Sequence, residues 1–275
     1  MNIALVINSL QPDAVDAAKK AQEHLDRQGL ASQVIDAFSL KEPDFAPDLI
    51  VALGGDGTML RAFHLFERSL APLIGINFGK LGFLSGATST DLIKALDHAL
   101  TSDANKEDRA LIDLLVHFAD LDEPISAIAL NEVMIGRGAN VKLVATALAI
   151  NGHDIFTIRG DGLIIATATG STAYALSAGG PIVSPGYDGM VVVPLASHTL
   201  AARAMVTAPD DVIAITLPEE YRSEIIIEVD GKSLELPEAK ISKIEIRTSP
   251  CELELIKLDS RLFYDTVAQN FFSER

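Results

Sequence analysis

The stretch LIVALGGDGTML, Leu49 to Leu60, runs an apolar segment into three glycines and an acid. Leu49–Leu53 reads as a strand buried on both faces, and Thr58–Arg68 as a helix. A strand that passes through a glycine-rich turn into a helix is the unit of a parallel α/β sheet, and the turn lies where such sheets bind ligands. Gly54, Gly55 and Gly57 let a ligand approach the backbone, and the first amides of the helix, with Thr58, suit phosphate. Asp56 is the misfit, because a carboxylate repels an anion. Its plainer reading is a helix cap. Its functional reading is a base.

The same alternation extends outward. Ile3–Ile7, Val34–Ile35 and Leu73–Ile76 read as strands, and Pro12–Gln28 and Thr90–Leu100 as helices, with Gly29 as a stop. Residues 1–100 are therefore expected to form an α/β domain of Rossmann-like type. After the polar break Thr101–Asn105 the pattern becomes strand-like: Leu111–Phe118, Ile125–Ile135, Leu143–Ile150, Leu163–Thr167, Met190–Pro194, Val212–Leu217, Ile225–Val229, Ile241–Ile246 and Leu253–Leu258. Gly, Pro, Asn and Asp separate these runs as in an antiparallel sandwich, and one helix is expected near Thr172–Ala178. Residues 101–255 thus read as a β-rich domain, and 256–275 as a tail that packs back on the first.

The 275 residues are 48% hydrophobic and carry 38 acids against 22 bases, a formal charge of −16. That balance argues against nucleic acid and anionic membranes as partners, but not against an anionic small molecule held by amides, a few cations and a metal ion. The single Cys251 excludes an internal disulfide framework and a cysteine-based zinc site. MNIALVINSL lacks a basic n-region and reads as a strand, and no apolar run approaches the roughly 18 residues of a membrane span. The expectation is a soluble cytoplasmic protein.

The familiar nucleotide fingerprints fail. GINFGKL (Gly75–Leu81) sets its glycines one residue too close for a P-loop and has Leu81 where magnesium needs a hydroxyl. GRGANV (Gly136–Val141) lacks the third glycine of a dinucleotide turn. There is no HExxH, and the six histidines are scattered. A second glycine-rich stretch, Arg159 to Ile182, combines Asp161-Gly162, a strand and Thr169-Gly170-Ser171-Thr172, whose hydroxyls form either a polar cradle or a plain connection. Asn131-Glu132 interrupts an apolar run, either as a solvent-facing pair or as partners for ribose hydroxyls. His198 has a catalytic and a structural reading.

Taken together and in order, GGDGT, GINFGKLGFL, LNEVMIGRG, DGLIIATATGSTAYALSAGGPI, PLASHTLAAR and VDG resemble the NAD kinase family. Members phosphorylate the 2′-hydroxyl of the adenosine ribose of NAD. Ala168 and Ala204 stand where the family usually has proline, and Lys232 where a glutamine-like residue is usual. The resemblance implies that Asp56 is the base, and that Gly54, Gly55, Gly57 and Thr58 orient phosphate, with Arg61 adding charge. Asn131 and Glu132 would hold ribose hydroxyls. Asp161, Thr169, Thr172, Ala173, Tyr174, Ala175, Leu176 and Ser177 would line the adenine and nicotinamide ends, and Ala196 would back the adenine pocket. Lys142 and Arg159 would reach phosphate or a neighbouring subunit's ligand. It further implies NAD and ATP as partners, polyphosphate as an alternative donor, a divalent cation such as Mg2+, and a homo-oligomer, dimer or tetramer. A lipid kinase shares the GGDGT turn but needs an apolar cleft where this chain has TGSTAYALSAGG. A non-catalytic NAD sensor would be expected to lose Asp56 or the TGST hydroxyls.

Overall fold

A computed structural model describes residues 1–39, 43–79, 82–138, 143–198, 202–218, 225–258 and 263–272. The chain divides into two compact units, Met1–Arg109 with Glu252–Arg275, and Ala110–Cys251.

The first unit is built from β1 (Asn2–Ile7), α1 (Pro12–Arg27), β2 (Ala31–Asp36), β3 (Leu49–Leu53), α2 (Asp56–Leu65), β4 (Leu73–Asn77), β5 (Ala87–Thr88) and α3 (Leu92–Ala99). β2, β1, β3 and β4 lie side by side, all parallel. β1 pairs with β2 on one side and β3 on the other, so the chain reverses its direction of travel across the sheet there. In parallel α/β sheets ligands gather beyond the strand ends at such a reversal, and the GGDGT turn follows β3 there. β1 and β3 read as unbroken apolar runs because both faces are covered: Ile3, Leu5, Leu49, Val51 and Leu53 pack with Ala14, Ala21 and Leu25 of α1 and Leu92 and Leu96 of α3. Pro12 opens α1, and Gly29 at φ 71° follows its end, as their backbone preferences dictate. The predicted helix over Thr58–Arg68 starts two residues earlier, at Asp56.

In the second unit, β6 (Asn105–Phe118) enters from the first, followed by β7 (Ile125–Ala129), β8 (Glu132–Arg137), β9 (Val144–Ile150), β10 (His153–Gly160), β11 (Gly162–Ala166), α4 (Tyr174–Ser177), β12 (Val191–Leu195), β13 (Met205–Val206), β14 (Val212–Thr216), β15 (Ile225–Val229) and β16 (Lys232–Ser233). β17 (Ile241–Lys257) returns the chain to the first unit, where α5 (Phe263–Val267) follows. One antiparallel sheet has the order β13-β12-β11-β8-β15-β16. Facing it, β10, β9, β14 and β17 continue through β6 to β7. Alternate residues of both sheets meet in one core, with Val133, Ile135, Leu163, Ile165 and Val192 against Ile112, Leu114, Ile213, Ile244 and Ile246. The intervening Met134, Ile164, Val191 and Val193 are buried too, under Ala175 of α4. GLIIA is therefore apolar on both faces.

Other element boundaries differ from the sequence pattern as well. The run Ile125–Ile135 is two strands broken at Leu130-Asn131. Ile241–Ile246 and Leu253–Leu258 belong to one strand, Ile241–Lys257, which accommodates Pro250 at an exposed position. The helix expected near Thr172–Ala178 is a 3-10 turn, Gly170–Thr172, followed by the single turn of α4. Among the described residues, no helix is long and apolar enough to cross a membrane.

Candidate active site

In the first unit, β3 delivers Gly54 to a position where its N–H donates to the Ile76 carbonyl at 2.9 Å. A Cβ on Gly54 would overlap the Thr58 side chain, and one on Gly75 would overlap Met59. These contacts seat the start of α2 directly on β3 and β4. Gly55 and Gly57 instead face open space, beside the helix's first amides.

Asp56 occupies the first position of α2, yet its carboxylate does not cap that helix. It accepts hydrogen bonds from Phe83 N (2.9 Å), Leu84 N (3.3 Å) and Ser85 Oγ (3.2 Å). Ser85 is buried and in turn accepts from Asn77 Nδ2 at 3.3 Å. Gly82 lies under the carboxylate, where any Cβ would overlap it. The capping alternative thus gives way to a carboxylate bound by Phe83, Leu84 and Ser85. Two of its lone-pair directions on Oδ1 and one on Oδ2 are used, and a carboxylate has about four. Arg61 rests on the Phe38 ring, its guanidinium carbon 4.1 Å from the centroid.

In the second unit, Asn131 and Glu132 stand at the break between β7 and β8. Asp230, in the left-handed region at φ 51°, produces that break. Its carboxylate accepts from the amides of Leu130 (2.8 Å), Asn131 (2.8 Å) and Glu132 (2.9 Å), while its own N–H donates to the Glu132 carbonyl at 2.9 Å. From the opposite side Thr167 donates its N–H to the Asn131 carbonyl at 2.8 Å and its hydroxyl to the Leu130 carbonyl at 2.6 Å. The Thr167 hydroxyl also accepts from Gly170 N at 3.0 Å, and a Cβ on Gly170 would overlap the Asn131 backbone. The Asn-Glu pair and the TGST turn are thereby one structure. Thr169 is buried, Thr172 donates to the Thr169 carbonyl at 3.2 Å, and Ala173 and Leu176 are half-buried. Ala175 is buried against the sheet, while Tyr174 and Ser177 are exposed.

Glu132 is only 7% exposed, and its Oε2 has no hydrogen-bond partner among the described residues. Burial, and then the negative charge of Asp230, push its carboxyl up to about 8. It is a poised group that a ligand hydroxyl could satisfy.

Arg159, Asp161 and Ala196 form a second cluster. Asp161 N donates to the Leu195 carbonyl at 2.9 Å, and His198 N to the Arg159 carbonyl at 2.9 Å. Arg137 Nε donates to Asp161 Oδ1 at 2.8 Å, and Ala196 takes φ 42°. This cluster stands at the start of β11, and Glu132 pairs with Ala166 at its end. The length of that strand, about 15 Å, separates the two groups, so the structure does not bring Asp161 to Asn131. A hollow of about 330 Å3 is lined by Ala178, Gly179, Val193 and Ser197. Lys142 lies outside the described residues. His198 enters this cluster through its backbone N–H. The sequence reading passed over Ser85, Gly82 and Thr167, and cited Asp230 only within VDG.

Comparisons with known proteins agree on one family. Residues 8–104 match the model of the ATP-NAD kinase N-terminal domain, and residues 130–258 that of the ATP-NAD kinase C-terminal domain. NAD kinase 2 of Streptomyces avermitilis is 31% identical over 98% of this chain and 93% of its own. The NAD kinase of Symbiobacterium thermophilum is 33% identical over 97% of each. Among solved structures, yeast NADH kinase complexed with NADH superposes with a TM-score of 0.86 at 23% identity, over 100% of this chain and 89% of that one. An NAD kinase from Archaeoglobus fulgidus in complex with ATP gives 0.77 at 26% identity, over 98% of both.

Proposed function

The chain belongs to the ATP-NAD kinase family, and from that premise we propose that it transfers the γ-phosphate of ATP to the 2′-hydroxyl of the adenosine ribose of NAD, giving NADP and ADP. The observation that carries this reading is the carboxylate of Asp56, fixed by three donors beside the open, glycine-flanked start of α2.

A ribose hydroxyl attacks phosphorus only if it is aimed and can lose its proton. Asp56 has one lone-pair direction left on Oδ2 for that hydroxyl. The transition state of phosphoryl transfer is loose, so the hydroxyl proton leaves late and orientation of the nucleophile matters most. Asp56 then takes the proton as the new P–O bond forms. Gly54, Gly55 and Gly57 keep the backbone bare, and the first amides of α2 with Thr58 receive phosphate oxygens. Asn131 and Glu132 hold ribose hydroxyls. Thr169, Thr172 and the residues through Ser177 line the base-binding parts of the dinucleotide, and Arg61 adds positive charge.

Among the described residues no three carboxylate, histidine or cysteine groups gather to cage a metal ion. A magnesium ion, arriving with ATP, would be held chiefly by nucleotide phosphates and water and would neutralise phosphate charge. In a homo-oligomer, as the family resemblance implies, Arg159 would reach a neighbouring subunit's ligand, while Asp161 lies along the dinucleotide. Asp56→Asn tests the assignment: NAD binding should persist while turnover falls about 100- to 10,000-fold. Undiminished turnover would remove Asp56 from the mechanism.

A further inference from the structure

The first unit holds a buried cation that the chemistry above leaves unused. Lys257, the last residue of β17, is 9% exposed. Its Nζ donates to the carbonyls of Leu84 (2.9 Å), Ser85 (3.0 Å) and Phe83 (3.4 Å), one for each ammonium proton. The other side of this segment faces Asp56, through Phe83 N, Leu84 N and Ser85 Oγ. The peptide group joining Phe83 to Leu84 thus has its oxygen on the ammonium and its N–H on the carboxylate. It is a dipole aligned between opposite charges.

Burying an ammonium is costly, and an apolar side chain would fill the space without that cost. Burial, and next the positive Arg109, push Lys257 down to about 8, while Glu107 and Asp56 pull the other way. Backbone contacts fix the same segment. Leu258 N donates to the Gly86 carbonyl at 3.0 Å and Gly86 N to the Gly75 carbonyl at 2.9 Å. A Cβ on Gly86 would overlap the Ile256 carbonyl. The end of β17 is therefore shaped to hold residues 83–86, with the ammonium as its polar contact.

We propose that Lys257 is a positioning residue for phosphoryl transfer: by gathering the carbonyls of Phe83, Leu84 and Ser85 it aims their donors at Asp56 and fixes the carboxylate direction left for the ribose hydroxyl. This rests on the assignment of Asp56 as the base. The charged groups facing Lys257 are Arg109 and Glu107 on β6 and Asp56 on α2. Glu254, on its own strand, pairs with Lys106 at 2.8 Å.

The test compares the wild type, Lys257→Met, Asp56→Asn and the double variant for kcat, KM and NAD affinity from pH 6 to 9. Lys257→Met should lower kcat about 10- to 100-fold, with NAD affinity within about threefold of wild type. Wild-type kcat should fall with an alkaline limb near 8, as Lys257 loses its proton, and the Met variant should lack that limb. In the Asp56→Asn background, Lys257→Met should cause no further loss, because the lysine acts through the carboxylate. Wild-type kcat in Lys257→Met, or losses that multiply in the double variant, would overturn the inference. Should Lys257→Met fail to fold, Glu132→Gln decides, since it removes the other group pushed to about 8, and absence of the alkaline limb there overturns the inference. Full activity of Asp56→Asn would defeat the base assignment itself, whereas an inactive Asp56→Asn beside a fully active Lys257→Met would sink this inference alone.

Discussion

Replacing Glu132 by glutamine should stabilise the free protein by an amount set by pH. The carboxyl is 7% exposed, has one oxygen without a partner among the described residues, and is pushed up to about 8 from an ordinary 4.5. The folded state thus binds this proton more tightly than the unfolded chain. The group costs nothing below about pH 4.5, erodes stability as pH rises from there, and reaches its full penalty above about 8. Each pH unit within that window is worth about 1.4 kcal/mol, which makes the whole about 4 to 5 kcal/mol. Glutamine has the same shape and no charge to bury. Urea unfolding without nucleotide, followed by circular dichroism at half-unit steps from pH 5.5 to 8.5, should show Glu132→Gln pulling ahead of wild type by about 1.4 kcal/mol per pH unit and levelling off as pH passes about 8. A difference that stays flat with pH would refute the reasoning. The same variant should bind NAD more weakly, since one acceptor for the ribose becomes an amide nitrogen: the free enzyme gives up stability for its site.

Asp230→Asn keeps the left-handed backbone but turns an NH2 group toward one of the three amides now bound; it should cost about 2 kcal/mol in urea unfolding. Without the Asp230 charge, the pH dependence due to Glu132 should also shrink. Gly82→Ala places a methyl where the Asp56 carboxylate lies, so the side chain must leave the amides of Phe83 and Leu84. Steady-state kinetics should show kcat down about 10-fold or more, with secondary structure unchanged by circular dichroism.

What the sequence disclosed were the features carried by neighbours in the chain. The β3–turn–α2 unit is legible because an apolar run, glycines and a helical repeat follow one another within 20 residues or so. The TGST turn and the Asn-Glu pair are legible as polar interruptions, though not as one structure. Contacts made across the chain were hidden. Asp230 reaches Leu130 over 100 residues, and Lys257 reaches Leu84 over 173. A lysine near the end of a strand reads as a solvated charge, and no local pattern says that three carbonyls await it. The break in Ile125–Ile135 escaped for the same reason, since the carboxylate that enforces it lies a hundred residues downstream. β10 was missed because most of its residues are exposed and its alternation is faint.

The most direct test follows the phosphorus. The protein, incubated with γ-labelled ATP, magnesium and NAD, should place the label on the 2′-oxygen of the adenosine ribose, with one ADP released per NADP formed. Parallel reactions with NADH and with polyphosphate define the acceptor and donor. Release of ADP without labelled NADP, tight NAD binding with no transfer at any ATP concentration, or label appearing in a dispersed lipid instead would contradict the account.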